Sequence, residues 1–162
     1  MKRLLSILLF TPILGFSQYT TIPDQNFEQA LIDLGHDDEI DGQVLTASIS
    51  GVESLHIINE NIADLTGIED FTALTYMDCN SNQLTSLDVS QNTALEYLNC
   101  SYNQLTSLDV SQNTALEQLE FEENQLTSSD LSGCTALTTL YCYSNQLTSL
   151  DVSQNTALTS LG

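Results

Sequence analysis

Carboxylates are the residues of this chain whose spacing points most directly to chemistry. Asp88, Asp109, Asp130 and Asp151 recur every 21 residues. On stacked coils about 4.8 Å apart, such a row either raises its own pKa values or recruits a divalent cation. The competing expectation is hydrogen bonding to the Ser and Thr residues beside each Asp. A second group, Asp37, Glu39 and Asp41 followed by Gly42, fits the first half of a calcium loop, where alternate carboxylates and a turn glycine wrap the ion. Ser48 stands where the bidentate Glu of such a loop belongs, which favours a solvated acidic turn. Calcium is the one cofactor the sequence raises.

Catalytic constellations are absent from the pattern. No nucleophile stands near a base in the repeats, His36 and His56 are isolated, and the carboxylates recur like scaffold instead of converging on a cleft. An enzyme is therefore not expected. Cys79, Cys100 and Cys142 share one slot that Phe121 fills in the intervening unit, so they read as small buried apolar residues with free thiols. A Cys79–Cys100 bridge would need demanding geometry. Cys134 occupies a slot held elsewhere by Asn92, Asn113 and Asn155, and no CxxC spacing or nearby His points to zinc.

The elements that must position these groups follow from one period. Leu74, Leu95, Leu116, Leu137 and Leu158 stand 21 residues apart, as do Leu84, Leu105, Leu126 and Leu147. Strict self-similarity of this kind marks a solenoid, whose units bury their apolar faces only by stacking. Within one unit the slots fall at Leu95, Leu98, Cys100 and Asn103, then at Leu105, Leu108, Val110 and Asn113, two rounds of LxxLx(C/V)xxN. This arrangement resembles a leucine-rich repeat, specifically the short bacterial class with a nested half-repeat known as IRREKO. With its IPDQNFEQALIDLG opening, the chain is similar to exported leucine-rich repeat proteins of Bacteroidetes-type, Flavobacterium-like bacteria. The resemblance implies a β-rich solenoid, a stack of about five coils with short parallel strands and an N-terminal helical cap. It also implies ligands on a strand face.

Alternation along extended segments separates two outer faces. One repeats Thr, Ser, Asp and Ser in every coil, as at Thr106, Ser107, Asp109 and Ser111. The other changes from coil to coil and carries His56, Tyr76, Asp78, Tyr97, Asn99, Glu120, Glu122, Tyr141 and Tyr143. Tyr offers large contact area at little entropic cost, so this variable face is the expected ligand-binding surface. Asn82, Asn103, Asn124 and Asn145 are expected to form a structural ladder that pairs turn backbone groups.

In chain order, residues 1–17 read as a Sec-type signal peptide: Lys2 and Arg3 precede an apolar run too short to span a bilayer, and Ser17 suits cleavage. Residues 18–51 form the cap, with a helix over about 24–34 begun by Asp24 and stopped by Gly35, then the acidic loop. Residues 52–162 hold the repeats, opening with a 22-residue variant in which Glu60 replaces the ladder Asn. The last coil stops in its first strand, so the repeat domain is expected to be C-terminally incomplete, part of a longer polypeptide.

Removing the signal leaves 22 Asp and Glu with no Lys or Arg, because Lys2 and Arg3 are the only basic residues. Such a surface repels nucleic acid and anionic lipid. The expectation is a secreted or cell-surface recognition module that binds a protein or glycan, without membrane insertion of the mature chain. The alternative is an acidic, calcium-responsive stalk or adhesin segment that spaces a further domain.

Overall fold

The computed structural model describes residues 18–162; the signal peptide read over residues 1–17 lies outside them. Six short strands pair in parallel, in chain order: β3 (Ser54–His56), β4 (Tyr76–Asp78), β5 (Tyr97–Asn99), β6 (Gln118–Glu120), β7 (Thr139–Tyr141) and β8 (Ser160–Leu161). Tyr76 lies opposite Tyr97, Tyr97 opposite Gln118 and Gln118 opposite Thr139, so each partner stands one period along the chain. The first step, Ser54 to Tyr76, is one residue longer. The result is a parallel-strand β-solenoid of about five turns.

Its core is the set of slots that the period defines. Leu74, Leu95, Leu116 and Leu137 are fully buried, as are Leu84, Leu105 and Leu126. Phe121 shares their burial in the cysteine row, and all four cysteines are free thiols. The Cys79, Cys100 and Cys142 thiols donate to the Asn99, Glu120 and Gly162 carbonyls of the next coil at 3.4, 3.6 and 3.5 Å. Burial pushes the Cys100 thiol up to about 12. These sulfurs are packing groups in neutral solution, without thiolate character.

Each bend is held by an asparagine. Asn103 Nδ2 donates to the Cys79, Cys100 and Ser101 carbonyls at 3.2, 3.0 and 3.1 Å, and its Oδ1 accepts from the Leu84 N–H at 3.0 Å. Asn82, Asn124 and Asn145 repeat the arrangement. Glu60 breaks the row and is exposed; its own N–H donates to Asn82 Oδ1 at 3.1 Å.

The second half-repeat departs from the extended segment expected of it. It forms no strand, only a lone parallel bridge between Asp88 and Asp109. The cause is local: the N–H of Ser90, Ser111, Ser132 and Ser153 each turns back to the carboxylate two residues earlier, at 2.9, 2.9, 3.0 and 2.9 Å. Such Asx turns compete with a ladder for the backbone.

A second amide row closes this half, and it has one defect. Asn113 Nδ2 donates to the Val89 and Asn92 carbonyls, both at 2.9 Å, whereas Cys134 offers a single thiol contact to Val110 O at 3.5 Å. Beside it Gly133 approaches the preceding coil so closely that a Cβ there would lie 2.9 Å from Ser111 O. Small residues at both positions thus go together. Gly133→Gln alone is expected to destabilise by about 1–2 kcal/mol through overpacking. Added Cys134→Asn should recover most of that by restoring the amide and the coil spacing. Denaturant unfolding of the single and double variants measures the coupling, and additive effects would refute it.

The cap seals the first coil. α1 (Gln25–Asp33) has Asp24 as N-cap and buries Phe27, Ala30 and Leu31. Its end is a Schellman turn: Gly35, at φ 80°, donates to Ile32 O and His36 to Leu31 O, each at 2.9 Å. β1 (Tyr19–Thr21) pairs antiparallel with β2 (Gln43–Leu45), and the short α2 (Thr46–Ile49) leads into the repeats. The Phe27 ring lies 6.3 Å from that of Phe71, which carries the helix onto the first coil. Among the described residues, no helix is long and apolar enough to cross a membrane.

Candidate functional site

The variable face is the solvent side of β3–β8, and the register builds it. Residues one period apart sit one coil apart, so like side chains stack. His56 and Tyr76 have ring centroids 4.8 Å apart and tilted by 40°, and Tyr76 and Tyr97 are 4.2 Å apart and within 2° of parallel. Burial among these neighbours, with the Glu120 carboxylate next in effect, holds the Tyr97 phenol well above its ordinary value. Tyr76 has a ring on each side, whereas the far side of Tyr97 is met by Gln118 in register.

The carboxylates and amides of this face are more covered than outward-pointing positions imply. Asp78, Asn99 and Glu122 are only 7, 8 and 8% exposed. Asp78 accepts from Asn80 Nδ2 at 2.7 Å, Asn99 accepts from the Ser101 N–H at 3.0 Å, and Glu120 accepts from Gln118 Nε2. Tyr141 is half-buried, with its hydroxyl 3.5 Å from Ser160 Oγ. Tyr143 stands 49% exposed. One residue of this surface escaped the sequence reading. Tyr102, 52% exposed, has φ 54° in the left-handed position shared by Ser81, Glu123 and Ser144. The signal was available, since that slot reads Asn59, Ser81, Tyr102, Glu123 and Ser144 and varies as much as the strand positions do.

Of the alternatives open to the repeated aspartates of the rim, the structure shows the hydrogen-bonded one. The carboxyls of Asp88, Asp109, Asp130 and Asp151 all lie below the ordinary value, first because the Ser two residues on donates its N–H and then its hydroxyl. Water screens the mutual repulsion of these exposed groups, so the local bonds win. Among the described residues no three His, Cys, Asp or Glu side chains converge in a way that could hold a metal ion.

The acidic loop that carries Asp37, Glu39 and Asp41 closes on a carboxylate that comes from α1. Glu28 is fully buried, and its Oε1 accepts from the N–H of Asp41, Gly42 and Gln43 at 2.9, 2.6 and 3.1 Å. The loop backbone thus wraps an internal anion. Asp37 is raised from its ordinary value by burial first, against the Asp38 N–H bond that lowers it, with Glu28, Asp38 and Asp41 adding to the rise.

Comparison with known proteins agrees with this architecture. A family model described as leucine-rich repeats (2 copies) matches residues 72–113. Internalin J of Listeria monocytogenes is 44% identical over 73 residues, which is 43% of this chain and 8% of that protein. Among solved structures, an internalin from Listeria monocytogenes superposes with a TM-score of 0.79 at 24% identity, covering 87% of this chain and 43% of that one. The functional domain of internalin J, which includes a cysteine ladder, gives 0.50 at 31% identity over 92% of this chain and 44% of that one. A Leptospira interrogans leucine-rich repeat protein gives 0.56 at 28% identity, over 59% of this chain and 26% of its own. This chain spans under half of each of these relatives. The repeats of residues 72–113 thus match the leucine-rich repeat model, and the solenoid fold is the one seen in the internalins that this chain resembles.

Proposed function

We propose that this chain is a non-enzymatic, extracellular recognition module that binds a protein through the variable strand face. The observation that carries the reading is the His56–Tyr76–Tyr97 stack, with rings 4.8 and 4.2 Å apart on one sheet. Rigid, pre-ordered aromatics lose little entropy on binding, and interface hot spots are rich in Tyr. A glycan would stack on a free ring face, which the central Tyr76, with a ring on each side, does not offer, whereas a protein surface can use ring edges and hydroxyls. The constant rim, with the same four residues in every coil, carries no comparable information.

The test is a display screen of folded proteins and a glycan array against the purified chain. Tyr97→Ala and Tyr141→Ala are expected to weaken the ligand so found at least tenfold, about 1.4 kcal/mol or more, while the melting temperature stays close to that of the parent. Unchanged binding in both variants would move recognition off this face.

A further inference from the structure

At one end of the variable face a buried carboxylate is left without a donor. Glu122 is 8% exposed and its Oε2 has no hydrogen-bond partner; one coil earlier Ser101 is 1% exposed and its Oγ has none either. Residues 18–162 contain no Lys or Arg, so none of the described residues has a basic side chain of that kind to offer. An uncompensated buried charge is costly, and native structures pair such groups. Two tyrosines flank the site. The Tyr102 N–H donates to Glu122 O at 2.9 Å, and Tyr143 follows Glu122 in register, with its carbonyl accepting from the Glu123 N–H at 3.2 Å. Both rings are about half exposed, at 52 and 49%. Glu122 and Tyr102 are close enough to Tyr143 to add, after desolvation, to the rise of its phenol.

We propose that Glu122, flanked by Tyr102 and Tyr143 and by Ser101 on the preceding coil, anchors an arginine side chain from a basic segment of the protein partner. This rests on the variable face being the binding surface and names the chemistry of what it takes. A guanidinium fits, because its planar fork gives parallel N–H groups to a carboxylate and lies against aromatic rings. Lysine, a hydrated point charge, satisfies fewer of these groups. The described residues of a second copy lack Lys and Arg as well, which points to a different protein as the source.

The test uses a hexa-arginine and a hexa-lysine peptide as probes, titrated calorimetrically at physiological salt. The arginine peptide is expected to bind several-fold more tightly than the lysine peptide. Glu122→Gln, which keeps the shape of the side chain, should weaken it about tenfold, and Tyr102→Ala and Tyr143→Ala several-fold. Glu123→Gln removes the same charge from an exposed neighbour and should change affinity less than twofold. Equal losses for Glu122→Gln and Glu123→Gln would mean diffuse attraction and overturn the anchor. If Tyr97→Ala abolishes binding of the screened protein while Glu122→Gln leaves both that protein and the peptide unaffected, the anchor alone is wrong. Losses confined to Asp109→Asn on the opposite rim would sink both the anchor and the reading of the face.

Discussion

Asn103→Ala is expected to lower the melting temperature by roughly 6–12 °C, about 3 kcal/mol spread over a domain of this size. The side chain serves two coils at once. It supplies amide hydrogens to three carbonyls, one from the preceding coil and two from its own, and accepts the Leu84 N–H, with the residue only 8% exposed. Alanine leaves those backbone groups buried without partners, and each such group costs about 1–3 kcal/mol before relaxation. The two amide rows should differ. Asn113 has two donor bonds, to Val89 O and Asn92 O, while its Oδ1 is unpartnered. Asn113→Ala should therefore cost clearly less than Asn103→Ala. Chemical denaturation followed by circular dichroism gives the order, and a reversed order would show that the count of backbone bonds does not set the stability of the bends.

Asp24→Ala should cost about 2 kcal/mol at neutral pH, at the upper end for an N-cap, because this carboxylate fastens two elements. Oδ1 accepts from the Asn26 and Phe27 N–H groups of α1 at 2.8 and 3.1 Å, and Oδ2 accepts from Ala63 and Asp64 of the first coil at 2.7 and 3.0 Å. Partial burial by itself raises the carboxyl, but the bonds from Ala63, Phe27, Asp64 and Asn26 outweigh it, and the net displacement from 3.8 is downward. A group whose folded pKa is depressed gives its stability above the unfolded value and loses it as pH falls through the folded one. The gap between parent and Asp24→Ala should thus be complete at neutral pH and shrink as pH drops below 3.8. Unfolding titrations at several pH values measure it. A gap that stays constant into strong acid would mean that the carboxylate charge is irrelevant to the cap.

Much of the architecture was legible because in a solenoid the spatial neighbour of a residue is found one period along the chain. The leucine rows, the buried cysteine row with Phe121, and the amide ladder through Asn103 all follow from that single translation. It also aligned Tyr76 with Tyr97, since register transfers directly from spacing to stacking. Spacing is blind to side-chain environment, however, and there it left alternatives open. It allowed the rim Asp row either to strain itself electrostatically or to bond to its Ser and Thr neighbours, and each carboxyl falls below its ordinary value because the Ser two residues on folds back upon it.

The sequence by itself determined the coil, its core and which face varies, since those depend on a repeat that every unit obeys. Only the tertiary structure decided that Asp78, Asn99 and Glu122 lie covered, that Glu28 holds the acidic loop from within, and that Tyr102 joins Tyr143 beside an unpaired carboxylate. The physical reason is that water access and hydrogen-bond supply depend on the sizes and directions of the particular side chains in adjacent coils. A period specifies where a residue sits and leaves open how much solvent its neighbours allow to reach it.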